Sequence, residues 1–157
     1  MKQFVHNHHY QIRHPCEGHR LTLGDVVVTL KVTGEQTAGA FAIIESTVPP
    51  HFGGLSIQVH HRTTKTFYVV SGVLAFTLAE ETVMVRQGGL VTVPPGLVHK
   101  FWNPTATPAT YLTYLSPAGF EQYFVELALL MADEGAWPPK EMSKVIALDK
   151  KYELLPP

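Results

Sequence analysis

The chain has 157 residues, with 12 lysines and arginines against 13 aspartates and glutamates, and a net charge of −1 at pH 7. Hydrophobic residues make up 45% and charged ones 16%, which is enough apolar material for the core of one domain and too much for a disordered segment. The balanced charge gives no basic footprint for nucleic acid, and no apolar run is long enough to cross a membrane as a helix. A lone cysteine, Cys16, excludes an intrachain disulfide. Together with a polar start unlike a signal peptide, it leads us to expect a soluble, cytoplasmic protein.

The first twenty residues hold His6, His8, His9, His14 and His19 and read as an exposed, imidazole-rich arm. From Asp25 to Val32 the chain is β-branched and bounded by Gly24 and Gly34, which predicts a strand. Turn residues follow to Gly39, and Ala40 to Val48 resumes strand character until Pro49-Pro50-His51-Phe52-Gly53-Gly54. Further strands are expected at Thr66–Val70, Val73–Leu78, Thr82–Arg86, Leu90–Val93, Val98–Trp102 and Thr110–Leu115. Short strands parted by Gly and Pro indicate a sandwich or barrel rather than alternating β-α units.

After Leu115 the pattern changes. Ser116-Pro117 reads as a helix start, with Phe120, Phe124, Leu127, Leu130 and Met131 as its apolar stripe and Gly135 and Pro138-Pro139 as its stop. A second helix is expected over Glu141–Lys151, with Met142, Val145, Ile146 and Leu148 buried. Both are expected to cover a barrel surface, away from the chemistry.

Two stretches carry that chemistry. In the first, Ser56 to Tyr68, Gln58 and His60 fall on one face if the segment is extended. In the second, Pro94-Pro95-Gly96-Leu97-Val98-His99 places His99 just past a proline turn. Two imidazoles converging inside a small barrel suit zinc, copper, iron or nickel, or are simply buried and hydrogen-bonded.

These stretches resemble the two motifs of the cupin superfamily. The second motif, Gly, five residues, Pro-x-Gly, two residues, His, three residues, Asn, is complete as Gly88, Pro94, Gly96, His99 and Asn103. The first normally carries His-x-His, three or four residues, Glu, six residues, Gly. Here His60 and Gly72 are in place, while Gln58 stands at the first histidine and Lys65 at the glutamate. Further likeness at Thr33-Gly34-Glu35, Thr66-Phe67-Tyr68-Val69 and Ser116–Glu121 resembles the single-domain, quercetin dioxygenase-like cupins.

The resemblance covers nearly the whole chain. It implies a single all-β cupin domain over residues 1–157, a small jelly-roll β-barrel (core about residues 21–116), with a C-terminal helical segment at about 117–151 packed on it. It also implies a homodimer, and one divalent transition metal (Zn, Fe, Mn, Ni or Cu), held weakly or lost. The metal ligands carried over are His60, His99 and the amide of Gln58. Lys65 reverses the charge of the missing carboxylate. At about 4 Å and an effective dielectric of about 20, an ammonium costs a dication on the order of 8 kcal/mol. Three outcomes stay open: Lys65 swings out, is neutral, or takes the metal's place.

No other carboxylate supplies the ligand. Glu45 reads as inward or solvent-facing, and Glu80 and Glu81 as part of an exposed hairpin turn. Ordinary Fe(II) dioxygenase chemistry is therefore disfavoured. Lys65, His60 and His99 are the candidate catalytic residues, for metal-assisted or acid–base chemistry on a small organic molecule. Phe67, Phe76, Phe101 and Tyr114 are the candidate pocket lining. The alternative is a non-catalytic cupin that binds a small molecule and has lost its metal.

Overall fold

The computed structural model describes residues 10–134 and 141–154. Among these, nine strands precede two helices: β1 (His19–Leu23), β2 (Val26–Val32), β3 (Ala42–Val48), β4 (Thr64–Ser71), β5 (Val73–Leu78), β6 (Glu81–Arg86), β7 (Leu90–Val93), β8 (His99–Trp102), β9 (Ala109–Ser116), α1 (Glu121–Glu134) and α2 (Met142–Lys151). Pairing is antiparallel throughout. A six-stranded sheet in the order β1-β2-β3-β9-β4-β7 faces a three-stranded sheet in the order β6-β5-β8, giving the expected jelly roll with C-terminal helices.

Period-two alternation decides what points inward. On β3, Ala42, Ile44, Ser46 and Val48 are buried, and on β9, Ala109, Tyr111, Thr113 and Leu115 are buried. On β4 the buried set is Lys65, Phe67 and Val69. Phe67 pairs with Thr113 and Lys65 with Leu115, so one register puts all three inside. A one-residue slip would expose Phe67 and Val69, forfeiting on the order of 4 kcal/mol of burial. That pins the lysine in the interior regardless of its own preference for water.

Two apolar clusters fill the molecule. One joins Val28, Leu30, Ile44 and Leu115 to Phe120, Tyr123, Leu127 and Leu148. The other gathers Val48, Phe67, Val69, Leu74, Phe76, Phe101 and Tyr111.

Several sequence expectations need correction. His19 begins β1 rather than ending an arm, because His19–Leu23 pairs with Leu30–Val26; His6, His8 and His9 lie outside the described residues. Ser116 does not cap a helix: it pairs with Thr64 and donates its hydroxyl to the Ala40 carbonyl, extending β9. The helix starts at Glu121, whose buried carboxylate accepts from the backbone N–H of Gly34 and Gly119. The expected stop at Gly135 and Pro138-Pro139 falls outside the described residues. In α2, Val145 and Leu148 are buried, but Met142 and Ile146 are exposed. The α1–α2 contact needs only a narrow apolar stripe because polar pairs share it: Tyr123 donates to Asp149 at 2.9 Å and Lys151 to Glu126 at 2.7 Å.

Candidate functional site

The stretch from Ser56 to Thr63 is not a strand. It is a loop crossing the end of the barrel, stitched down at a few points. Gln58 makes a two-way backbone bridge with His99 of β8, both bonds 2.9 Å, and the His60 carbonyl accepts from Gly96 N–H at 2.8 Å. Gly96 has a φ of +82°, a conformation that suits glycine, and it turns the Pro94-Pro95 segment back onto the loop. The two motifs are thus joined through backbone before any side chain is considered.

Four polar side chains meet there, each at most 4% exposed: Gln58, His60, Lys65 and His99. Lys65 Nζ donates to Gln58 Oε1 at 2.7 Å and lies 3.3 Å from His60 Nε2, while His60 Nε2 is 3.2 Å from Gln58 Oε1. Two proton arrangements satisfy this triangle: His60 Nε2 accepts from the lysine, or it carries the hydrogen and donates to Gln58. The His60 and His99 rings are 5.9 Å apart. His99 Nδ1 donates to the Leu97 carbonyl at 3.0 Å, which leaves the lone pair on Nε2 buried without a hydrogen-bond partner.

The expectation that the C-terminal segment lies away from the chemistry is also corrected. Phe120 presents its ring 4.0 Å from Lys65 Nζ and packs edge-on to His60 at 4.5 Å. Leu154 bridges to Gln58, Glu153 Oε2 accepts from His61 N–H at 3.0 Å, and the same oxygen is 3.9 Å from His60 Nδ1. The helical segment and its tail therefore close one side of the site.

The electrostatics follow from burial. Desolvation pushes the Lys65 amine down to about 7. Burial first, then the Lys65 charge, then His99 and His61, hold His60 down to about 2. Burial and the Lys65 charge lower His99 to about 4, opposed by its bond to the Leu97 carbonyl. Both imidazoles are neutral at pH 7, and the lysine exchanges a proton near it.

A divalent metal does not fit this donor set with the lysine seated. A cation bonded at about 2.1 Å to both Gln58 Oε1 and His60 Nε2 would lie no more than about 4 Å from Nζ, given the triangle above. If the amine is protonated, the repulsion is on the order of 8 kcal/mol. No cluster of three or more His, Cys, Asp or Glu side chains exists among the described residues to compensate. Glu45 lies on the outer face of β3, 3.9 Å from Lys31, and Glu80 and Glu81 are exposed.

Of the expected pocket residues, Phe67 and Phe101 border a small void beside Lys65. Phe76 packs behind them, 5.2 Å and 5.9 Å from their rings, as core. Tyr114 lies outside the barrel, 41% exposed and stacked on Phe41. The alternation on β9 explains this: Thr113 and Leu115 point inward, so Tyr114 cannot. Sequence reasoning missed Ile44, Ser46, Leu55, Tyr111, Thr113, Phe120 and Phe124 as lining of the void beside Lys65. The phases of Ser46 with Ile44 and of Thr113 with Leu115 were available as signals. Asn103 of the second motif holds loops together: its Nδ2 donates to the Pro49 and Thr107 carbonyls at 2.9 and 2.8 Å, and its Oδ1 accepts from Thr105 N–H and Oγ1.

The fold is that of a cupin-type jelly-roll β-barrel. Residues 44–114 match the family model described as a cupin domain. The polyketide cyclase RemF from Streptomyces resistomycificus superposes with a TM-score of 0.60 at 17% identity, covering 69% of this chain and 80% of that one. A predicted oxalate decarboxylase from Thermotoga maritima gives 0.57 at 16% identity, covering 63% and 90%. Among curated proteins, the xanthan biosynthesis protein XanB of Xanthomonas campestris is 32% identical over 68 residues, 43% of this chain. The chain spans 14%, 11% and 47% of the lengths of three curated relatives it matches. Among the described residues, no helix is long and apolar enough to cross a membrane.

Proposed function

We propose that this cupin barrel uses the Lys65 amine where a metal would otherwise sit, and binds a small organic molecule through a carboxylate, enolate or carbonyl oxygen. The observation that carries this reading is the buried Nζ, held at 2.7 Å by Gln58 Oε1 and 3.3 Å from His60 Nε2. An amine so placed donates to a ligand oxygen, and neutral His60 beside it is a proton acceptor within one hydrogen bond of that oxygen. Such a site suits enzymatic acid–base chemistry next to a carbonyl, with Lys65 and His60 touching the reacting atoms and Phe120 excluding water. A metal-free binding module without turnover is the competing form. Enolisable carbonyl compounds incubated with the protein in D2O distinguish them. The enzyme reading predicts deuterium at the α-carbon, lost in Lys65→Ala with the fold intact; bound compounds that never exchange would leave only the binding module.

A second reading has one observation in its favour: the unpartnered Nε2 of His99 would be satisfied by a metal shared with His60 and Gln58. It requires Lys65 to leave its present position. Metal bound stoichiometrically by wild type, and lost in His60→Ala and His99→Ala, would support it.

The homodimer and cytoplasmic location implied by the family likeness remain part of this proposal. The outer face of the large sheet supports the dimer, with Tyr68, Leu90 and Tyr114 all more than 40% exposed on adjacent strands β4, β7 and β9. Light scattering should report a dimer that Tyr68→Glu dissociates; a monomeric wild type would remove it.

A further inference from the structure

The void beside Lys65 holds about 10 Å³, room for about one water. It is too small for any organic ligand. A second cavity of about 470 Å³ lies next to it, within the size range of small-molecule sites. Its walls are the β1–β2 turn (Leu23 to Val26), Pro49, Phe52 and Gly54 of the segment between β3 and the crossing loop, and Leu127 of α1. It runs along the seam between the two apolar clusters, with Val28 and Leu127 from one and Tyr111 and Phe52 from the other.

Leu55, Tyr111 and Phe124 line both spaces and so stand between them. Tyr111 is buried in the barrel, whereas Leu55 and Phe124 are only half-buried. Leu55 follows Gly53-Gly54 in a segment without regular structure. The Phe120 ring, 4.0 Å from the amine, and the Leu154–Gln58 bridge cover other sides of the site.

We infer that the large cavity is the outer chamber of a two-part site. It takes the apolar body of an aryl or alkyl carboxylate whose head group passes Leu55 and Phe124 to reach Lys65 Nζ. This rests on the reading of Lys65 as the ligand-binding cation. The orientation follows from the lining: Asp25, at the outer rim, is the one charged residue on the cavity wall among the described residues, and Lys65 is the one beside the inner void. An anionic head therefore belongs at the inner end, and the apolar body against Val26, Phe52 and Leu127. Seating the head requires the half-buried Leu55 and Phe124 side chains to turn aside. No backbone strand has to separate.

Fluorine NMR with para-fluorophenylpropanoate tests this, with para-fluorophenylpropylamine as the charge-reversed control. Binding of the acid and not the amine is expected, weakened about tenfold or more by Val26→Trp, which fills the outer chamber, and by Leu55→Trp, which blocks the passage. Amide shift changes in the unmodified protein should map to residues 23–26, 55, 124 and 127, a readout that needs no variant. Loss of binding in Lys65→Met, with Val26→Trp and Leu55→Trp unchanged and shifts elsewhere, would remove the outer chamber and leave the lysine reading standing. Binding indifferent to all three substitutions, or a preference for the amine, would overturn both. Absence of binding by the acid would overturn the ligand class stated here.

Discussion

Replacing Lys65 by methionine should stabilise the fold at neutral pH, and the gain should fade as the pH rises. Lys65 is 3% exposed, and its amine makes one short hydrogen bond, to Gln58 Oε1; its other neighbours are the neutral His60 and the Phe120 ring. Burial lowers it from 10.5 to about 7. That lowering of about 3.5 units is equivalent to a cost on the order of 5 kcal/mol for holding the charged form in the fold. The unfolded chain keeps the amine protonated up to its ordinary pKa. Between about pH 7 and 10.5 the unfolded state therefore binds more protons than the native one, and stability rises with pH across that window. The penalty on the wild type is about 4 kcal/mol at pH 7, about 2 at pH 9, and nearly gone at pH 10.5. Methionine fills nearly the same volume and cannot titrate. Gln58 Oε1 loses its lysine donor but can still accept from His60 Nε2 at 3.2 Å, which limits the loss to about 1 kcal/mol.

Urea unfolding of both proteins at pH 7, 8 and 9 in metal-free buffer gives the answer. The stability of Lys65→Met should exceed that of wild type at pH 7, with the difference shrinking by about 2 kcal/mol by pH 9. A difference that stays constant with pH would mean that the amine keeps an ordinary pKa, and would refute the desolvation argument.

Other substitutions probe the frame around the site. Asn103→Ala removes four hydrogen bonds at a buried position and should cost about 2–4 kcal/mol in urea unfolding, because the Pro49 and Thr107 carbonyls lose their donor. Gly54→Ala should cost at least about 2 kcal/mol: its φ is +90° and an added Cβ would stand 2.1 Å from the Phe101 carbonyl oxygen. On acidification His60 and His99 resist protonation in the fold while the unfolded chain takes up protons below about 6.5. Stability present above that pH is therefore lost as the pH falls towards 4, on the order of 3 kcal/mol per histidine. His99→Gln should flatten that acid limb in a circular-dichroism titration.

The strands are legible in the sequence because Gly and Pro punctuate β-branched runs. The inward direction of Lys65 can also be inferred, since Phe67 and Val69 share its face. Ser116-Pro117 misleads as the start of α1, because a serine–proline pair carries the same local signal whether a helix follows or strand pairing to Thr64 continues. Only the carboxylate of Glu121, reaching Gly34 across the fold, shows where the helix begins. His60, Lys65 and His99 can be named from motif spacing alone. The roles of Phe120, Glu153 and Leu154 depend on the segment after β9 folding back over the barrel, a long-range contact that local pattern does not encode. Tyr114 is within reach of the alternation rule, because Thr113 and Leu115 take the inward phase.

The most direct test of the lysine's place in the barrel is elemental analysis of wild type and Lys65→Glu, purified side by side and each dialysed against zinc and manganese. The triangle of Nζ, Gln58 Oε1 and His60 Nε2 predicts no stoichiometric metal in wild type. Restoring a carboxylate at position 65 should give uptake of one ion per chain, dependent on His60 and His99. A wild type that carries one tightly held ion per chain, with the lysine still in place, would contradict the account.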